Sequence, residues 1–210
     1  MPDNLMQELT DSFQRFPGIG PRQAKRFVYY LLHASNGTAN RLLEQIAKLR
    51  QGAARCSECQ RFYFLTNNKT SQIICDICRD ENRDANLLML VEKDIDLENV
   101  LKTGTYNGQF FVLSGLIKIL DKQPVESING LELLNRVRKL APNSEIIAAL
   151  SANQEGDHTV DFLKKYLEEI IARNQLKFST LGRGLSTGVE VEYSDADTLK
   201  NALKNREARS

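Results

Sequence analysis

The chain has 210 residues, 41% of them hydrophobic and 26% charged, with a formal net charge of +1. That composition excludes a disordered chain and leaves room for one large domain or two small ones. No apolar run approaches the roughly 18 residues that a membrane span needs, and Met1-Pro2-Asp3-Asn4 lacks the basic-then-apolar pattern of an export signal, so no membrane association and a cytoplasmic location are expected.

Residues 1–55 read as helical. Leu5, Leu9 and Phe13 recur at helical spacing until Pro17-Gly18-Ile19-Gly20-Pro21 interrupts them. A second helix is predicted from Pro21, since proline suits the first helical position, to about Ala34. A third runs from about Thr38, a predicted N-cap, to Gln51. In the second helix Ala24, Phe27, Val28 and Leu31 form one stripe, while Arg22, Lys25, Arg26 and Tyr29 form another at the same spacing. Gly18 and Gly20 let the backbone approach a phosphate, with Ile19 as an anchor between them and the N–H groups of the helix start facing outward. Eight basic against four acidic residues precede Cys56, a surplus of four, so the rest of the chain is net negative. This basic front suits a sequence-independent, salt-sensitive contact with a polyanion. An ordinary helical corner with a solvated basic face fits the same spacing.

All four cysteines fall in Cys56-x2-Cys59 and Cys75-x2-Cys78, fifteen residues apart. Two close thiolate pairs joined by a loop are what tetrahedral zinc requires, and disulfide pairing is the alternative in an oxidising compartment. Four thiolates leave no position for a water, so zinc here is a structural ion.

From Asn86 the pattern changes. Apolar runs at Leu87–Val91, Phe110–Leu113 and Ile146–Leu150 predict buried strands, separated by segments that can form helices. The clearest such segment is Asp157–Asn174, with Val160, Leu163, Leu167, Ile170 and Ile171 on one face. A last helix is predicted over Asp195–Arg206. Strands alternating with helices predict an open, mostly parallel α/β sheet behind a helical N-terminus.

Glu92, Asp94, Asp96 and Glu98 follow the first strand. Ligands collect at the carboxyl ends of strands in open α/β sheets, so these acids are candidate magnesium ligands; helix capping by Asp94 and Asp96 over Leu97–Lys102 is the alternative. A strand followed by glutamate resembles the Toprim fold of primases, topoisomerases and some nucleases. Catalytic members carry a further Asp-x-Asp after a later strand; the matching stretch here, Leu150-Ser151-Ala152-Asn153, has no aspartate. Glu155 and Asp157 follow at an expected helix N-terminus, where acids are favoured. Neither His33 nor His158 belongs to a cysteine or serine arrangement that would suggest a nucleophile, so no catalytic residue is expected.

In order along the chain, Phe16-Pro17-Gly18-Ile19-Gly20-Pro21, the four cysteines with Cys75-Asp76-Ile77-Cys78-Arg79-Asp80, Arg83-Asp84, Val91-Glu92 with Asp96, Lys102-Thr103-Gly104 and Glu155-Gly156 before Thr159 resemble the RecR family of recombination mediators. Gly184, Gly188, Glu192-Tyr193, Asp195, Thr198-Leu199, Ala202-Leu203 and Arg206 extend the resemblance towards the C-terminus. It implies a helix-hairpin-helix domain (1–55), a four-cysteine zinc finger (56–80), a Toprim domain (81–180) and a C-terminal oligomerisation region (181–210). It also implies a homotetrameric ring around gapped or junction DNA, and partnership with RecO-like and RecF-like proteins in loading RecA. Gly18, Gly20, Arg22, Lys25 and Arg26 match the DNA-contact element, and Glu92 and Asp96 match acids that engage RecO. Three stretches depart from the family pattern. Leu120-Asp121-Lys122-Gln123-Pro124 replaces a glycine-rich loop, Ser151-Ala152-Asn153 replaces Asn-Pro-Thr, and Gly184-Leu185-Ser186-Thr187-Gly188-Val189 lacks a proline and a glycine. A Toprim-type nuclease or primase-like enzyme, and a zinc-stapled scaffold that binds only protein, are the competing functional readings.

Overall fold

The computed structural model describes residues 3–65 and 73–206. Residues 66–72 of the expected zinc finger and 207–210 of the expected C-terminal region lie outside the described residues. The chain divides into two compact units, Met1–Ala53 and Ala54–Ser210.

The first unit holds three helices, α1 (Asp3–Gln14), α2 (Pro21–His33) and α3 (Asn36–Gly52). Its core is thin. Ala24 and Val28 of α2 are buried, and Phe13 of α1 meets Phe27 edge-to-face at 5.6 Å. Phe27 and Leu31 are half-buried, so the predicted apolar stripe faces inward, and Ile19 is half-buried in the turn. The α3 cap differs from expectation. Ser35, not Thr38, precedes the helix, and its hydroxyl accepts from the Thr38 backbone N–H. Thr38 is the third helical residue, where a side chain is too far along to serve the first free N–H groups.

In the second unit a two-stranded ribbon, β1 (Ala53–Arg55) and β2 (Phe62–Phe64), leads through a one-turn helix α4 (Asp76–Arg79) to a four-stranded sheet. Its strands are β3 (Asp84–Val91), β4 (Gly108–Val112), β5 (Glu145–Ala149) and β6 (Lys177–Thr180), all parallel in the order β4-β3-β5-β6. The connecting helices are α5 (Asp94–Thr103), α6 (Pro124–Ser127), α7 (Gly130–Arg138), α8 (Gln154–Tyr166) and α9 (Glu168–Asn174), with α10 (Ala196–Lys204) near the end of the chain.

Strand alternation divides the core into two layers. Leu88 and Leu90 of β3 and Phe111 of β4 point to one face, where Leu133, Val137, Leu163 and Leu167 cover them. Met89, Val91, Phe110 and Val112 point to the other, against Leu97 of α5 and three of the cysteines. The cysteine module is therefore one wall of the sheet's second core layer.

Two further expectations are corrected. The single helix over Asp157–Asn174 is two, α8 and α9, broken at Leu167 (φ −99°, ψ 0°). The apolar periodicity continues across the break because Leu163, Leu167 and Ile170 all remain buried. Asp94 does not cap α5, which begins at that residue, whereas Asp96 does, accepting from the Lys93 backbone N–H at 2.9 Å from the third helical position.

Candidate nucleic-acid interface and metal centre

The turn before α2 has the geometry its glycines allow. Gly18 sits at φ +75°, a region open to glycine without strain, and a Cβ at Gly18 or at Gly20 would meet nothing within 4 Å. Gly20 precedes the helix in extended conformation, and no side chain caps it. The first turn of α2 carries no acidic residue either. Pro21 has no N–H and Ala24 donates to the Gly20 carbonyl, so among the described residues the backbone N–H groups of Arg22 and Gln23, at the positive end of the helix, are left without a partner. Arg22, Lys25 and Arg26 lie on the surface, and among the described residues none of the three is in an ion pair. The Arg26 guanidinium only leans on Gln23 Oε1 at 3.4 Å. The structure brings the expected residues onto one exposed basic surface.

The four cysteines converge. Their sulfurs all lie within 4.8 Å of one another, and Cys56, Cys59 and Cys75 are buried. No pair is bonded, and Cys59 Sγ and Cys75 Sγ are 3.6 Å apart. Tetrahedral thiolate ligands at about 2.3 Å from zinc stand about 3.8 Å from one another, so the cluster fits a metal ion and the disulfide alternative falls. Local geometry explains the convergence. Gln60 takes a left-handed conformation (φ 62°) and returns its N–H to the Cys56 carbonyl at 2.9 Å, which closes the first knuckle. The Cys75 N–H points at Cys56 Sγ at 3.4 Å. Hydrogen bonds from Cys59, then Cys75 and Cys78, hold the Cys56 thiol far below the usual thiol range, while the same crowding pushes Cys59 and Cys78 up. Four negative charges cannot share this space without a cation.

Side chains that sequence reasoning did not single out fasten this module to the sheet. The Val112 N–H donates to the Cys59 carbonyl at 2.8 Å. Glu58, inside the first knuckle, binds Lys139 at 2.7 Å and faces Arg136 at 3.7 Å. Asp94 accepts from the Phe62 N–H at 2.7 Å. Asn129, in a left-handed conformation that asparagine tolerates, accepts from Arg55 at 3.1 Å and donates to Ser114 Oγ at 2.8 Å.

The acids after β3 do not form a metal site of the Toprim enzyme type. Glu92 is buried, with Lys93 Nζ 2.5 Å from Oε1 and the Ser151 hydroxyl donating to Oε2 at 2.7 Å. Burial alone would raise the Glu92 carboxyl, but Lys93 and Ser151 outweigh it and hold it below the usual range. Asp94 is turned to Phe62, and Asp96 accepts from the Lys93 backbone N–H at 2.9 Å. The three carboxylates serve three different donors. Among the described residues the cysteines are the group of potential ligands whose donor atoms converge. The Ser151 carbonyl passes so close to Gly156 that any side chain at 156 would collide with it. Asn153 is the N-cap of α8, accepting from Gly156 at 2.8 Å.

A helical hairpin unit, followed by a unit that joins a four-cysteine cluster to a parallel Toprim-type sheet, defines a class: a hairpin-bearing Toprim protein with a cysteine cluster able to hold a metal ion. A family model described as "RecR, helix-hairpin-helix" matches residues 6–50, and one described as "Toprim domain" matches residues 86–181. The chain is 36% identical to "Recombination protein RecR" of Roseiflexus castenholzii over 198 residues, covering 94% of this chain and 91% of that protein. It is 34% identical to the protein of that name from Bifidobacterium animalis subsp. lactis, over 97% and 96% of the two chains. For that of Legionella pneumophila subsp. pneumophila the identity is 30% over 98% of each. The chain belongs to the RecR family of recombination proteins.

Proposed function

We propose that the protein is a non-catalytic DNA clamp and recombination mediator in DNA repair, acting in the cytoplasm. The Gly18–Gly20 turn with Arg22, Lys25 and Arg26 holds phosphates of gapped or junction DNA irrespective of sequence, because backbone N–H groups at a helix start and clustered cations suit phosphate oxygens. The observation that carries this reading is the exposed, ion-pair-free basic face of α2 beside an uncapped helix start. The cysteines hold zinc as a structural ion, supported by an all-thiolate set with the spacing of a tetrahedron. In functional terms the chain divides as 1–55, 56–80, 81–180 and 181–210.

Glu92 and Asp96 form the partner-facing edge of the Toprim domain, engaging a RecO-like protein and, with a RecF-like protein, serving the loading of RecA. Lys93, whose side chain is 62% exposed, presents the surface under which Glu92 lies. Self-association into a tetrameric ring is supported by an apolar face on α3, where Leu43, Ile46 and Leu49 are 66%, 52% and 60% exposed. The lack of catalysis is supported by the engagement of Glu92, Asp94 and Asp96 with three separate donors. A two-metal site needs carboxylates that converge.

The test uses end-labelled gapped DNA with zinc-loaded protein and magnesium at low salt, run on native and denaturing gels. Shifted, intact DNA is the expected result. Cut or extended DNA supports a Toprim enzyme instead, and an unshifted, intact band supports a protein-only scaffold.

A further inference from the structure

The ribbon β1–β2 carries a feature that neither the metal site nor the core requires. In β2 the side chains alternate: Tyr63 packs inward against the cysteine layer, while Phe62 and Phe64 stand on the outer face, 54% and 56% exposed. Two exposed phenylalanines side by side on a three-residue strand forgo the burial that such side chains normally find. The Arg55 guanidinium lies 4.7 Å from the centre of the Phe62 ring. Among the described residues Arg55 has no acidic partner, and neither has the exposed Arg79.

We infer that this outer face of β2 is a stacking platform for unpaired nucleobases of single-stranded DNA. The inference rests on the DNA-binding reading above and adds to it a second, chemically different contact. Every base has a π-face, so rings on a rigid strand bind single strands without regard to sequence, while a duplex keeps its bases stacked on one another. Neighbouring residues on one face of a strand are about 6.7 Å apart. That is about two stacking steps of about 3.4 Å, so one base fits between Phe62 and Phe64 or each ring carries its own. Arg55, against the Phe62 ring, supplies positive charge for the phosphates that accompany those bases. The platform is pre-set. The Phe62 N–H is held by Asp94 at 2.7 Å, and the neighbouring Arg61 carbonyl accepts from the Cys56 N–H at 2.9 Å. Little ordering is then left to be done on binding.

The chain contains no tryptophan, so Phe64→Trp installs a single indole reporter at an exposed position. The full-length variant is titrated with an oligothymidine single strand and with a blunt duplex of equal length, following tryptophan emission and the anisotropy of labelled DNA in parallel. The expected result is emission quenched by the single strand, with the midpoint seen by anisotropy, and unchanged by the duplex. In the original background Phe62→Ala with Phe64→Ala lowers single-strand affinity about fivefold or more per stacked base and leaves duplex affinity unaltered. Single strand bound without quenching, equal quenching by the duplex, or undiminished affinity in the double alanine variant overturns the platform while leaving the hairpin reading intact. A shift that grows with protein concentration and ignores DNA overturns it in favour of contact between copies of the chain. Binding of neither DNA ends both proposals.

Discussion

The two units of this chain use their polar groups in opposite ways. In Ala54–Ser210 carboxylates near the cysteine module and the strand ends are spent: Glu58 on Lys139 and Arg136, Glu92 on Lys93 and Ser151, Asp94 on Phe62. Beneath them a sheet is covered on both faces by buried apolar side chains. In Met1–Ala53 the described residues buried outright are Thr10, Ala24 and Val28, and the cations of α2 have no acidic neighbour. A helix that keeps its cations unpaired keeps its attraction for an external polyanion, whereas internal pairing uses that attraction up. The body spends much of its charge on its own shape, and the hairpin leaves the cations of α2 exposed.

The largest expected effect breaks the body. With zinc at the cysteines as proposed, a chelator, or Cys59→Ser, should expose the second core layer, since Cys56, Cys59 and Cys75 pack with Met89, Phe110 and Leu97. Structural zinc contributes on the order of 10 kcal/mol in small modules. Calorimetry should show the main unfolding transition fall by tens of degrees or vanish.

Next comes Glu92→Gln, which leaves Lys93 without its partner and Ser151 with a weaker acceptor, at a cost of about 1–3 kcal/mol by urea unfolding at pH 7. The folded protein holds the Glu92 carboxyl below its ordinary value of 4.5. Its contribution is therefore complete above that value and is lost as pH falls through the lower, folded one. The gap between parent and variant should close in that acid range and stay constant above it. Asp94→Ala, which frees the Phe62 N–H, should cost about 1 kcal/mol. It should also speed chelator-driven metal release, as the ribbon loosens from the body. The smallest effect belongs to the hairpin unit, where Ser35→Ala removes the cap of α3 for about 1 kcal/mol or less without altering metal content.

What could be read in the sequence follows the same division. The hairpin turn and the cysteine pairs are local chemistry, carried within a few residues, and both were legible. Three strands announced themselves as continuous apolar runs, but β6, Lys177-Phe178-Ser179-Thr180, did not. It lies at the sheet edge, and its sequence lacks the run that marks a doubly covered strand. The break at Leu167 was hidden because the burial period survives it. The pairings that could not be read join distant residues: Glu92 with Ser151 across 59 positions, Lys139 with Glu58 across 81. Only the order of strands brings β3 and β5 side by side, and with them the two residues just past their ends.

The central claim is that the hairpin cations carry DNA binding. The most direct measurement is the affinity for gapped DNA across a range of salt concentrations, for the parent and for Arg22→Ala with Arg26→Ala. The double variant should bind every sequence more weakly and to the same degree. Its slope of log K against log salt should be shallower by about 1 for each phosphate that is no longer neutralised. An unchanged affinity and an unchanged slope in the double variant would contradict the claim.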